Sequence, residues 1–134
     1  MTTQLDRAAR AVIDGAHTAI LATSNADGRP QSSVIFVKYE DDAIVFSTIE
    51  DRLKTRNMRR DPRVSLLLLS AAGNYVEVRG RADIAPDPEK ALLREMYDRY
   101  MGGTTPPPEP EAVRLIVRVH PERFYVWPPR TGRA

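Results

Sequence analysis

The stretches HTAILATS (residues 17–24), NADG (residues 25–28) and QSSVIFVKY (residues 31–39) decide the reading of the fold. Two short β-branched runs flank an Asp27-Gly28 pair, and glycine accepts a positive φ without steric cost, so the segment predicts a β-hairpin. Glu40-Asp41-Asp42 then turns the chain into AIVFS (residues 43–47), which makes three consecutive antiparallel strands, a meander. Working backwards, Leu5, Ala8, Ala9, Val12, Ile13 and Ala16 recur at helical spacing with Gly15 as a stop, which predicts a short N-terminal amphipathic helix.

Working forwards, residues 48–61 lose the strand pattern. A short helix is expected there, capped by Asp51, with Leu53 and Met58 on its buried side and Asp61-Pro62 as its end. VSLLLL (residues 64–69) predicts a central strand too apolar to be half-exposed, and Ala71-Ala72-Gly73-Asn74 turns it into a partly alternating strand over residues 75–85. Asp87 with Pro88 predicts the start of another helix, whose apolar set is Ala91, Leu92, Met96 and Tyr100. MGGTTPPPEP (residues 101–110) is an extended connector, residues 112–119 and 124–127 supply two last strands, and residues 128–134 carry no regular pattern. Strands that come consecutively predict a mainly β fold: a small closed antiparallel β-barrel of six or seven short strands, with two or three short helices plugging its ends.

Composition bounds the function. A chain of 134 residues, 42% hydrophobic and 28% charged, predicts one domain over residues 1–134 with enough apolar surface for a core. No apolar run is long enough to cross a membrane as a helix, and the polar stretch over residues 1–10 lacks the apolar centre of an export signal, so a cytoplasmic protein is expected. The absence of cysteine removes disulfides, thiolate catalysis and cysteine-ligated metal, and with only His17 and His120 no metal site is expected. Neither histidine stands in a nucleophile motif, the carboxylates are scattered, and no glycine-rich phosphate loop is present, so no catalytic side chain is assigned. An enzyme of this composition must borrow its reactive atoms from a cofactor.

Charge supplies the positive signal. Net charge is only +2, yet residues 52–63 hold Arg52, Lys54, Arg56, Arg59, Arg60 and Arg63 against the single anion Asp61. A solvated helix face would explain such a run; so would an anion site, where Arg52 and Lys54 flank the unpaired N–H groups of a helix start and Asn57 follows about one turn later. The preceding Phe46-Ser47-Thr48 offers hydroxyls and strand backbone to a flat ring. A nucleic-acid-binding barrel would interleave aromatics with these cations for stacking, and residues 52–63 contain none.

Three pieces of sequence carry a family resemblance: Ala22-Thr23 with Asp27-Gly28-Arg29-Pro30-Gln31-Ser32-Ser33, Phe46-Ser47-Thr48, and the run from Arg52 to Arg63. Together they resemble the flavin/deazaflavin oxidoreductases, FMN-binding split barrels related to pyridoxamine 5′-phosphate oxidase, and the cationic piece is similar to the subgroup that binds coenzyme F420. The resemblance implies that Arg52, Lys54 and Asn57 hold the cofactor phosphate and that Gln31, Ser33, Ser47 and Thr48 line the ring. It also implies that Trp127, followed by Pro128-Pro129, packs near the ring at a dimer interface. The implied function is hydride transfer between F420 and a small organic substrate, with FMN as the alternative cofactor and a non-catalytic carrier as the alternative role. The implied assembly is a homodimer with cofactor sites between subunits, without nucleic acid or membrane. Arg56, Arg59 and Arg60 are expected to meet the polyanionic tail of F420. Val34 departs from relatives that place a polar residue there, and the chain ends before the C-terminal substrate region of the pyridoxine-phosphate oxidases, which disfavours that substrate.

Overall fold

The computed structural model describes residues 3–129. Its elements are α1 (Arg7–Gly15), β1 (Thr18–Ser24), β2 (Pro30–Phe36), β3 (Lys38–Glu40), β4 (Ala43–Ile49), α2 (Leu53–Arg60), β5 (Arg63–Leu69), β6 (Tyr75–Pro86), α3 (Ala91–Tyr100) and β7 (Arg114–Trp127). The seven strands form one antiparallel sheet in the order β2-β1-β5-β6-β7-β4-β3. The strand pattern predicts a mainly β antiparallel fold, and the split barrel is the form of it that the family resemblance implies.

The expected meander is not what forms. The β1–β2 hairpin is present, with Gly28 at φ 89° and the Asp27 carboxylate accepting from the Arg29 amide at 3.0 Å. The second run, however, breaks at Val37 into β2 and β3, which lie at opposite edges of the sheet. A single residue therefore joins the two edges, and the sheet has to curl until they meet. Val37 is buried, and its amide donates to the His17 carbonyl at 3.0 Å. Burial at the pivot, not a turn residue, makes the break.

β3 pairs with only Ala43–Val45 of β4, with Lys38 opposite Val45. Beyond that point β2 continues the direction of β3 without a ladder to β4, and a gap opens between Val34–Phe36 and Ser47–Ile49. β4 is held on its other side by β7, with Thr48 opposite Leu115 and Ile49 opposite Arg114.

The core fills the barrel with Leu21, Ile44, Phe46, Leu66, Leu68, Val76, Val78, Val117 and Val119, each essentially inaccessible to solvent. Full burial of such side chains contributes about 1.5–3 kcal/mol each. Helix α1 closes one end with Ala9, Val12 and Ile13 and is capped by Asp6, which accepts from the Ala9 amide at 2.9 Å. Helix α3 packs Leu92 and Met96 on Ala43 and Val45. It is fastened by Lys38, whose ammonium donates to Glu95 at 2.9 Å, and by the Tyr100 hydroxyl, which donates to the Val37 carbonyl at 2.7 Å.

Four local expectations are corrected. The residue at the start of α2 is Arg52, which makes no capping bond; Asp51 lies in the turn before it and only its carbonyl is used, accepting from Arg56 at 2.6 Å. Leu53 is 44% exposed while Met58 is buried, because five positions along a helix turn roughly 140° from one another. Helix α3 starts at Ala91, not at Pro88. Asp87 still serves its amides, accepting from Ala91 at 3.1 Å and Leu92 at 3.0 Å, but Lys90 at φ 56° takes a turn first. The strand VSLLLL is one-sided, with Val64, Leu66 and Leu68 buried and Leu69 53% exposed.

The two last strands are one. β7 runs through Pro121 because a bulge admits it: Arg79 pairs with Arg123 and Gly80 with Pro121, so Glu122 is the extra residue. Gly80 is required opposite the bulge, since a Cβ there would collide with the His120 carbonyl. Of the C-terminal segment expected to be irregular, residues 130–134 lie outside the described residues.

Candidate functional site

The gap between β2 and β4 is a cavity of about 230 Å³. Val34, Ile35 and Phe36 form one wall, Ser47, Thr48 and Ile49 the other, and Met96 and Tyr97 of α3 close the back. Arg52, Lys54 and Arg114 bring three cations to it. Ladder geometry explains the polar floor. Phe46–Ile49 has β7 on one side and, with the β3 ladder reaching only as far as Val45, no strand on the other, so its main chain faces the gap.

The hydroxyls have defined hydrogen-bonding roles. Lys54 Nζ donates to Ser33 Oγ at 3.3 Å, and Arg114 Nη1 donates to Ser47 Oγ at 3.3 Å. Each serine accepts, so its own proton is left to donate. Thr55 Oγ1 donates to the Ile49 carbonyl at 2.7 Å, which leaves Thr48 Oγ1 to donate across the 3.0 Å contact to Thr55. Thr48 thus offers only lone pairs to the cavity.

Lys54 has no carboxylate partner among the described residues. Burial, then the neighbouring Arg52 and Arg114 guanidiniums, hold its ammonium below the usual lysine range. Arg52 likewise makes no ion pair among the described residues. A half-buried ammonium between two guanidiniums, with hydroxyl donors beside it, is an arrangement that an anion relieves.

Five sequence-predicted residues converge here: Ser33 through its bond to Lys54, and Ser47, Thr48, Arg52 and Lys54 in the lining itself. Three do not. Asn57 is fully buried, donating through Nδ2 to Thr23 at 3.0 Å and to Asn25 at 2.8 Å and accepting from Arg60 at 2.9 Å, so its amide fastens α2 to the β1–β2 hairpin. Gln31 accepts from the Thr23 hydroxyl at 2.7 Å. Trp127 is half-exposed and stacks on Tyr75 with centroids 5.8 Å apart. Along β7 it stands eleven residues from Ile116, the partner of Ser47, roughly 35 Å of extended strand.

The cations expected to be spare are engaged. Arg59 forms a two-pronged pair with Glu50 at 2.7 and 2.8 Å, Arg60 donates to the Ser24 carbonyl, and Arg56 donates to that of Asp51. The cation that sequence reading missed is Arg114. It lies sixty residues beyond Lys54 and is brought in by its pairing with Ile49; no local motif marks it.

A curled sheet that opens along one side onto a hydroxyl-lined, cationic cleft defines a split barrel. The chain belongs to the pyridoxamine 5′-phosphate oxidase family, an oxidoreductase family whose sequence profile matches residues 5–128. A solved structure described as an F420 reductase superposes with a TM-score of 0.82 at 31% identity, covering 90% of this chain and 98% of that one. A conserved hypothetical protein of Mycobacterium tuberculosis superposes with a TM-score of 0.76 at 27% identity, over 94% of this chain and 86% of its own. A pyridoxine/pyridoxamine 5′-phosphate oxidase of Streptomyces avermitilis is 38% identical over 61 residues, 45% of this chain. The match spans only 27% of that enzyme. Among the described residues no helix is long and apolar enough to cross a membrane.

Proposed function

We propose that the chain is an oxidoreductase that binds coenzyme F420 in the cleft between β2 and β4 and passes a hydride between it and a small organic substrate. The observation that carries this reading is Lys54, a half-buried ammonium without a carboxylate partner between Arg52 and Arg114. In this reading Lys54 and Arg52 hold the cofactor phosphate. Ser33 and Ser47 donate to ring carbonyls, and Thr48 accepts from a ring N–H. The bound deazaflavin supplies the hydride chemistry; the protein orients the ring and keeps water from it with Val34, Phe36 and Met96. The structure described as an F420 reductase, similar over nearly its whole length, supports this cofactor. FMN is the second reading, favoured by the family and by the Streptomyces relative, since it too joins a phosphate to a tricyclic ring.

The same reading makes the protein a homodimer. A cavity of about 230 Å³ falls below the roughly 300–1,000 Å³ of small-molecule sites, so one chain offers part of the site. An apolar face begins at the cavity rim. Val34, 69% exposed, stands in register beside Ile20 and then Leu67, and the neighbouring row runs Leu69, Tyr75, Trp127. A second copy covers this face isologously and brings Trp127, too far from its own cleft, to the partner's.

Titration with F420 and with FMN, followed by ring fluorescence and absorbance, tests the cofactor. F420 is expected to bind at the lower concentration; binding of neither overturns the reading. Light scattering at micromolar concentration tests the assembly, and a monomer overturns it.

A further inference from the structure

Arg114 is held in an unusual way. Glu109, at the end of the proline-rich connector, takes its Nε at 2.7 Å and its Nη2 at 2.8 Å, occupying one whole edge of the guanidinium. The remaining edge, Nη1, points to Ser47 and the cavity. The arginine side chain is only 14% exposed and the carboxylate 24%, so solvent screens the pair weakly. Lys90 pins the connector by donating to the Glu109 carbonyl at 2.7 Å, and its ammonium stands 3.6 Å from the carboxylate. The cavity wall therefore carries three cations, and one built-in anion stands behind it on Arg114.

Resting on the phosphate site proposed above, we propose that Arg114 is a third anion-binding side chain of the cleft. Glu109, by neutralising it, sets the cleft's preference for a singly charged phosphodiester over a doubly charged phosphomonoester. A Coulomb interaction is linear in the ligand's charge, so Glu109 repels a dianion twice as strongly as a monoanion at the same place. The phosphate of FMN is a monoester and close to dianionic above neutrality, whereas that of F420 is a diester with one charge. Glu109 is thus a specificity-determining residue that touches no ligand. Arg114 keeps its Nη1 protons for the ligand while Glu109 fixes the plane of the guanidinium.

The test measures dissociation constants of F420 and FMN at pH 8 for wild type, Glu109→Gln, Arg114→Met and Arg114→Lys, with melting temperatures alongside. Glu109→Gln is expected to tighten both cofactors, F420 by about threefold and FMN by about the square of that factor, near tenfold. A damaged clamp would weaken both, so a gain distinguishes charge from scaffolding. Arg114→Met is expected to weaken both by about tenfold, the loss of one charge-assisted hydrogen bond, and Arg114→Lys to recover part of it. Weaker or unchanged binding in Glu109→Gln, or unchanged binding in Arg114→Met, overturns the inference. Where Arg114→Met does not fold, Arg114→Lys and Glu109→Gln decide. If wild type binds neither cofactor, the F420 and FMN readings fail, and calorimetry with inorganic pyrophosphate runs the same four proteins. No pyrophosphate binding by wild type overturns the present inference as well.

Discussion

Replacing Lys54 by Met separates binding from folding. The lysine sits in the cavity wall with the Ser33 hydroxyl as its hydrogen-bond partner, and burial with Arg52 and Arg114 disfavours its charge. Methionine keeps most of the stem volume and removes the ammonium, and no buried carboxylate is orphaned because none faces it. A charge-assisted hydrogen bond to phosphate contributes about 1.5–3 kcal/mol, so cofactor affinity is expected to fall roughly tenfold to hundredfold. Stability of the unliganded protein is expected to hold or rise, because like charges are relieved. Arg59→Met is the control: its pair with Glu50 is about half exposed and screened by solvent, so its loss costs little stability and leaves affinity unchanged. Cofactor titration and thermal melting of the two variants side by side form the assay. Wild-type affinity in Lys54→Met, or a lowered melting temperature with affinity intact, refutes the placement of the anion at Lys54.

Three further outcomes are expected of the cleft and the strands around it. Cofactor affinity is full while Lys54 is charged and declines as pH rises through its folded-state pKa; because that value lies below 10.5, the alkaline decline starts early, whereas Lys54→Arg should flatten it. Because burial and its cationic neighbours lower the folded-state pKa of Lys54, the unliganded fold gains stability over the same rise in pH. Asn57→Ala breaks three hydrogen bonds of a fully buried amide and should lower unfolding free energy in urea by about 1–3 kcal/mol; wild-type stability would show that the hairpin does not depend on it. Gly80→Ala forces a Cβ into the His120 carbonyl and should cost about 2–3 kcal/mol or prevent folding; a normal melt would mean that the β7 bulge shifts freely.

Local signals were readable and long-range ones were not. Asp27-Gly28 announces the first hairpin because glycine at φ 89° is a property of one residue. The break at Val37 is invisible, since valine in an apolar run says only that the strand continues, and the break depends on which neighbour each half finds. The strand through Pro121 was hidden for a related reason: proline forbids a regular ladder, and only the partner strand, with Gly80 opposite, shows that a bulge admits it. In the site, Arg52 and Lys54 were legible as neighbours in a charged run. Arg114 reaches them through strand pairing, and Asn57, equally polar in sequence, is turned inward by the face of α2 it occupies.

The cleft also bears on how these molecules behave in a crowd. Between Val34–Phe36 and Ser47–Ile49 two extended main chains run unladdered, and such an edge is a template on which a strand from another molecule can add. Any strand entering there would have to strip water from Lys54 and Arg52 with no carboxylate to meet them. In the proposed reading, the charges that would hold a phosphate thus also guard the open seam against aggregation, and a bound cofactor would close it. Neutralising Lys54 should therefore produce a protein that melts no earlier yet clouds sooner on concentration without cofactor.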